Sequence, residues 1–423
     1  MAQQRVNSMP IYRDILSDLC EPSRRTINLR VTPTAQRAIR NGHPWVFDQA
    51  IIRQNHEGRP GDLAVIYDDK NRFMALGLYD PGSPIPVRIL HQGQPTVIDQ
   101  DWFGARLADA VQQRASLATT RTTGYRLVHG ENDKLPGLVV DRYDQTIVIK
   151  LDTTAWIAHL RCVLAALTSL IPAQRIVLRL SRSVLEKPEH LHNLRDGSVL
   201  SGPPLEGPVP FLEHGLQFEA DLVNGQKTGF FLDQRDNRAR IEKLTARATV
   251  LNVFAYTGGF SLYAARGGAQ RIVSLDISRP ALAVAARHFD LNRDDRNVAA
   301  ANHELLCADA FEALSELANE RRRFDVIMLD PPSFARKQVQ VDKALAAYER
   351  LARLSLRVLH TGGIIALASC SSRVSADRFF AAVHQAAKRA NRPLSEIERT
   401  GHPLDHPIGF KEGAYLKCLF ARA

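Results

Sequence analysis

Two short segments of this chain carry groups able to do covalent and proton-transfer chemistry. One is Ser369-Cys370-Ser371, which ends the apolar run GGIIALASC; the other is Asp330-Pro331-Pro332-Ser333-Phe334, which ends FDVIMLDPP. A thiolate can add to the electron-poor carbon 6 of a pyrimidine and make carbon 5 nucleophilic. Free cysteine has a pKa of about 8.5, so such a nucleophile needs help from local charge or proton transfer. Asp330 can hold or protonate the ring nitrogen as negative charge develops there. The paired prolines remove donors and keep the chain extended, fixing the aspartate at a strand mouth. A plain structural role stands beside this one, because a strand-end cysteine is commonly a small buried hydrophobe.

A second set of residues lies upstream. The segment NVFAYTGGFSLYAARGGA runs from Asn252 to Ala269 and places Gly258 and Gly259 where a strand turns into a helix. Glycines there allow close approach of the backbone to a ligand. Asp276, 18 residues beyond Gly258, ends the next apolar run and is suited to ribose hydroxyls, while Asp309 ends the third and suits a purine amine. Each alone also reads as a tight turn or a helix cap; together, at consecutive strand ends, they favour an adenosine-bearing cofactor. A nicotinamide dinucleotide prefers G-x-G-x-x-G to seat its pyrophosphate, and A-Y-T-G-G-F-S lacks that pattern. S-adenosyl-L-methionine has no phosphate and carries a sulfonium, so it calls for acids and aromatic faces instead.

Elements that would position these groups follow from periodicity. From Val250, the buried strands TVLNVFAY, RIVSLDI, HELLCADA, FDVIMLDPP and GGIIALASC alternate with helical stretches such as RPALAVAARHF and ALAAYERLARLSLRVL. Such alternation predicts an α/β fold, a Rossmann-like parallel sheet covered on both faces with ligands at the carboxyl ends of its strands. GAYLKCLFAR lacks a following helix and is expected to pair antiparallel at the sheet's end. Residues 27–92 instead alternate with period two between Gly and Pro punctuation, predicting a small β barrel or sandwich. A helical connector is expected from Asp101 to about Ala118, then strands over 125–151, an apolar helix over Trp156–Leu170 and the strand RIVLRL. The expected divisions are an extension over 1–26, a β domain over 27–105, an α+β linker over 106–205 and the parallel-sheet domain over 206–423.

Composition bounds the rest. The chain has 423 residues, 45% hydrophobic and 24% charged, which suits two or three packed domains and excludes a disordered chain. No run approaches the roughly 18 apolar residues of a membrane span, and the acid-bearing N-terminus does not resemble a secretory signal. Five cysteines at 20, 162, 307, 370 and 418 form neither a metal cluster nor an even disulfide framework, pointing to a reducing cytoplasm. Cys162, Cys307 and Cys418 sit in apolar runs and are expected in the core. Of the net charge of +10, residues 1–110 contribute only +1, and arginine outnumbers lysine 44 to 11. That permits a phosphate-bearing partner without establishing one.

Taken together, the motifs resemble the RlmI-type family of 23S ribosomal RNA cytosine carbon-5 methyltransferases. The resemblance runs from about Asn28 to Ala423 and rests on HPWVF (43–47), ENDKLPGLVVDRY (131–143), NGQKTGFFLDQRDNR (224–238), DPPSFARK (330–337), SCS (369–371) and GAYLK (413–417), with the glycine loop above. It implies a PUA-like RNA-binding domain, an α+β linker and a class I methyltransferase domain, with large-subunit ribosomal RNA as partner and a homodimer as a family expectation. It further implies that Lys227, Thr228, Gly229 and Asp233–Arg235, including Gln234 and Arg235, close over the methionine end of the cofactor. Phe254, Tyr256 and Gly258 would lie along it, with Asp276 at its ribose, Asp309 at its adenine, Cys370 as thiolate and Asp330 as partner at the base. Some relatives carry a second cysteine after the paired prolines; Ser333 stands there, so the base for carbon 5 is unassigned.

Three other readings stay open on the residues alone. A guanine ring-nitrogen methyltransferase would share the K-T-G-x-x-x-D-x-R segment and need no Cys370. An exocyclic amino methyltransferase would want an aromatic directly after Asp-Pro-Pro, where Ser333 stands with Phe334 next to it. A non-catalytic RNA-binding assembly factor would keep the fold without needing the acids at both cofactor strand ends.

Overall fold

The computed structural model describes Leu19, residues 21–335 and residues 337–423. Most of the expected extension over 1–26, with Cys20, lies outside the described residues. The described residues divide into two compact units: one holds Leu19 and residues 21–215, 219–232 and 404–410, the other residues 216–218, 233–335, 337–403 and 411–423.

The first unit opens with β1 (Ile27–Val31), α1 (Pro33–Arg40), β2 (Trp45–Val46), β3 (Ile51–Gln54), β4 (Leu63–Tyr67), β5 (Phe73–Tyr79) and β6 (Val87–Gln92). They form one sheet in the order β2-β6-β5-β4-β1-β3. Alternation along β1 buries Ile27, Leu29 and Val31 against Ile39, Ile66 and Val87. All its pairings are antiparallel except β1 with β4.

Next come α2 (Gln100–Gln113), β7 (Gly124–His129), β8 (Leu138–Tyr143), β9 (Thr146–Leu151), α3 (Leu160–Leu170), β10 (Arg175–Leu180), α4 (Arg182–Leu185) and β11 (Val199–Ser201). The strands order as β11-β10-β9-β8-β7, with Trp156, Leu164 and Leu167 in the core. Two helix boundaries differ from expectation. The connector's α-helix stops at Gln113 and tightens into a 3₁₀ segment, and the stretch starting at Trp156 is 3₁₀ until His159. The Trp156 indole there donates to the Pro136 carbonyl at 2.8 Å, which sets that turn before α3 begins. Strands β12 (Val209–Glu213) and β13 (Leu216–Ala220) lead out.

The second unit comprises α5 (Arg235–Glu242), β14 (Thr249–Val253), α6 (Gly259–Arg266), β15 (Arg271–Asp276), α7 (Arg279–Leu291), α8 (Arg296–Ala300), β16 (Asn302–Cys307), α9 (Ala310–Asn319), β17 (Phe324–Leu329), α10 (Val341–Val358), β18 (Leu359–Ser369), α11 (Ala376–Arg389), β19 (Ser395–Thr400) and β20 (Lys417–Arg422). Its sheet runs β16-β15-β14-β17-β18-β20-β19, parallel through the first five positions and antiparallel in the last two pairings. Chain order reverses between β14 and β17, so the crevice of a doubly wound sheet opens there.

Three sequence expectations fail, two in this unit and one, Cys162, in the first. HELLCADA was expected to be a buried strand, but β16 is the sheet's edge and alternates only between exposed and half-buried positions. Cys307 is therefore exposed rather than in the core, and Cys162 is half-buried at the rim of the linker core, whereas Cys418 is buried. GAYLKCLFAR does pair antiparallel, but inside the sheet, because β19 covers its outer edge.

Candidate active site

The chemical groups meet at the carboxyl ends of β17 and β18. Asp330 directly follows β17, half-buried, with its N–H donating to the Val253 carbonyl at 3.3 Å. Cys370 directly follows β18, also half-buried, and its thiol lies 3.9 Å from the Pro331 carbonyl. Adjacent parallel strands thus bring both groups to one crevice, as their strand-end positions require. The Ser371 hydroxyl donates to the Ala335 carbonyl at 2.9 Å, tying the cysteine loop to the loop after the prolines. Behind them the Tyr348 hydroxyl, from α10, hydrogen-bonds Ser369 Oγ at 2.9 Å. Burial pushes this phenol up to about 12, the neighbouring Cys370 and Asp330 charges adding to the effect.

Lys417, at the start of β20, is only 4% exposed. Its ammonium donates to the Ser371 carbonyl, to the Val374 carbonyl at 2.7 Å and to the Tyr415 carbonyl at 3.1 Å. Burial pulls its pKa down to about 8, while the Cys370 thiolate acts to raise it. A buried cation held by neutral carbonyls, with a thiol next to one of them, favours the thiolate. Nothing in the sequence singled this lysine out except its place in GAYLK.

At the end of β14 the chain makes a tight loop into α6. Phe254 and Tyr256 both adopt left-handed backbone, φ 62° and 48°, uncommon for residues other than glycine. The loop is held by Asp276, whose carboxylate accepts from the Tyr256 N–H and the Ser278 N–H, each at 2.8 Å. His288 Nδ1 adds a contact to the Thr257 carbonyl at 2.8 Å. Both aromatic residues remain half-buried, Phe254 packing in part against the core of the unit.

Gly258 has a local reason to be glycine as well. It is buried, has φ +74°, and a Cβ there would lie 2.7 Å from that of Ala285 in α7. Asp309 caps α9, accepting from the Phe311 and Glu312 N–H groups through Oδ1 at 2.9 and 3.2 Å, and it is exposed. Capping by one oxygen leaves the other available to a ligand.

Gln234 and Arg235 are 2% and 1% exposed, so as placed they offer almost no surface to a cofactor. Gln234 Oε1 accepts from Asn237 at 2.6 Å and Arg235 Nε donates to Asp236 at 3.2 Å, which makes them scaffold for the start of α5. Asp233 accepts from the Tyr415 hydroxyl at 2.9 Å, linking that segment to the Lys417 strand. Lys227, Thr228 and Gly229 belong to the first unit. There Thr228 donates to Asp141 at 2.5 Å and the Lys227 ammonium sits 4.5 Å from the Phe231 ring centroid. The donor set of the second unit, half-buried aromatic faces with carboxylates, fits a cationic sulfonium nucleoside better than a phosphate-bearing one.

Comparison with known proteins places this geometry in a family. A model of the S-adenosylmethionine-dependent methyltransferases matches residues 134–422, and a PUA-like domain matches residues 29–92. A ribosomal RNA large subunit methyltransferase of Deinococcus radiodurans is 47% identical over 399 residues, covering 93% of this chain and 97% of that protein. Ribosomal RNA large subunit methyltransferase I of Aliivibrio fischeri is 36% identical over 400 residues, covering 94% and 99%. Among solved structures, a methyltransferase crystallised with S-adenosylhomocysteine has a TM-score of 0.80 at 21% identity, covering 94% of this chain and all of that one, a likeness of fold. The chain belongs to the S-adenosylmethionine-dependent methyltransferase family, with the ribosomal RNA large subunit methyltransferases among its relatives.

Proposed function

We propose that the protein methylates carbon 5 of a cytosine in large-subunit ribosomal RNA, through a covalent adduct with Cys370. The observation that carries this reading is that the Cys370 thiol, directly after β18, lies 3.9 Å from the carbonyl of Pro331, the residue after Asp330, with the buried Lys417 ammonium on the Ser371 carbonyl. Attack by a guanine ring nitrogen would need no cysteine and no cation behind it. The RNA substrate is supported by the names of the 47% and 36% identical relatives and by the PUA-like match.

S-adenosylmethionine, when bound, supplies an electrophilic methyl group. Phe254 and Tyr256 would face its sulfonium and nucleoside, Asp276 its ribose and Asp309 its adenine. The cytosine enters unstacked, at a cost of a few kcal/mol where it was stacked or paired. The Cys370 thiolate adds to carbon 6, and the displaced electron pair makes carbon 5 nucleophilic. Asp330 holds or protonates the ring nitrogen that would otherwise carry the charge. Carbon 5 takes the methyl group; its proton leaves to Asp330 or water, and the returning electron pair expels the thiolate. Holding base and methyl donor in line supplies much of the rate.

The test is methyl transfer from labelled S-adenosylmethionine to unmodified large-subunit ribosomal RNA, read by nucleoside mass spectrometry. Labelled 5-methylcytidine that disappears in Cys370→Ala, with cofactor affinity retained, is the expected result. Labelled methylguanosine unaffected by that change would overturn both the base and the nucleophile.

A further inference from the structure

At the opposite end of the same strands lies a cavity of about 690 Å³ lined by Arg323, Arg353, Arg357, Arg392 and His360, with no acidic residue in its lining. Arg323 immediately precedes β17, and His360 lies near the start of β18. The six-residue β17 separates this rim from Asp330 by about 20 Å at roughly 3.3 Å per residue. An irregular pairing lies at this rim: Phe324 faces Leu359 and Val326 faces Ile364, so β18 carries three more residues than β17 there.

Arg392 builds the groove from within. Its guanidinium donates to the carbonyls of Leu356 at 3.1 Å, Leu359 at 3.3 Å and His360 at 2.9 Å, and to the Ala423 oxygen at 3.4 Å. Arg323, Arg353 and Arg357 are exposed, and among the described residues none of the three forms an ion pair with a carboxylate. Arg322, beside them, is by contrast committed to Glu304 at 2.7 Å. A purely local purpose would be to offset helix C-termini, and α9, α10 and α11 all end at this rim. Three such ends carry roughly −1.5 charges together, against three rim guanidiniums. Arg323 donates to the Arg322 carbonyl at 3.0 Å, which leaves its charge uncompensated, and the excess sits in planar donors suited to bidentate phosphate contact.

We infer that this arginine groove seats a stretch of the RNA's phosphodiester backbone, gripping the substrate at the face opposite the chemical crevice. The inference rests on the RNA reading but not on the cytosine mechanism. The test is binding of a fluorescent large-subunit ribosomal RNA fragment to the full chain across a salt series, for the wild type, Arg353→Glu/Arg357→Glu and Arg293→Glu. Arg293 is exposed, pairs with Asp290 and lies outside the groove. Loss of two phosphate contacts should lower the slope of log affinity against log salt by about 1.4, weakening binding about 20-fold near 0.1 M salt. Cofactor affinity, which reads folding, should not change. An unaltered slope, or an equal loss in Arg293→Glu, overturns the groove alone. Absence of RNA binding by the unaltered chain overturns the groove and the RNA reading together.

Discussion

Replacing Lys417 by methionine keeps most of its stem and removes its charge, so the variant isolates what the ammonium does for Cys370. The ammonium bonds the Ser371 carbonyl, one residue from the thiol. One peptide unit plus a hydrogen bond puts charge and sulfur about 7 Å apart. At an effective dielectric of about 20 that separation is worth about 2 kcal/mol, or roughly 1.5 pKa units. Asp330 opposes the effect, and Tyr348, held neutral up to about 12, contributes little charge. The Cys370 thiol pKa should therefore rise by roughly 1.5 units in Lys417→Met, cutting the thiolate fraction about 30-fold at neutral pH. The assay is the rate of Cys370 alkylation by iodoacetamide against pH, followed on the Cys370 peptide by mass spectrometry. Loss of the ammonium also leaves the Ser371 and Val374 carbonyls unpartnered, costing about 1–3 kcal/mol. Lys417→Arg, which keeps the charge, should return the alkylation profile toward that of the wild type even where it does not restore full stability. An identical alkylation profile in the wild type and Lys417→Met would refute the electrostatic argument.

Other substitutions test the frame around the crevice. Gly258→Ala meets both a left-handed backbone and the Ala285 methyl at 2.7 Å, and should cost about 1–3 kcal/mol in urea unfolding. Asp276→Ala should weaken S-adenosylmethionine binding in calorimetry, because it removes the proposed ribose partner and frees the Tyr256 N–H together; unchanged affinity would remove Asp276 from the site. His303, stacked on Phe289 with ring centroids 3.8 Å apart, has its pKa lowered to about 4 by burial. The unfolded chain takes up that proton first, so the stability His303 supports is full above about pH 6.5 and is lost as pH falls toward about 4. His303→Gln should flatten the stability–pH curve over that window alone, and parallel curves for both proteins would refute the assignment.

The strand-end groups were legible because continuous apolar runs stop at Asp276, Asp330 and Cys370, and parallel winding sends all such ends to one face. Lys417 was not, because a lysine opening a strand ordinarily reads as exposed. It is buried because β20 pairs with β18 in a register that sets Lys417 opposite Ser369. Leu305, Leu306 and Cys307 misled for the reverse reason: their apolar run says nothing about lying on a sheet edge. SEIERT gave no strand signal, since its polar pattern suits an edge strand, here paired with β20. For Gln234 and Arg235, family likeness marked the segment, but only packing shows their side chains turned into the fold.

The return of residues 404–410 to the first unit bears on the order in which the molecule can be made. Asp405 accepts from the Arg126 N–H at 2.9 Å and from Arg114 through its carbonyl at 3.3 Å, and the Gly409 N–H reaches Asn132 at 2.6 Å. Arg114 and Asp133 form a buried ion pair at 2.7 Å in the same place. During synthesis the N-terminal unit emerges first, yet these contacts must wait until residues 233–403 have also left the ribosome. Until then the Arg114–Asp133 pair lacks part of its cover, and the N-terminal unit exists as an unfinished intermediate. A chain cut before residue 404 would stay in that state however well its earlier residues fold.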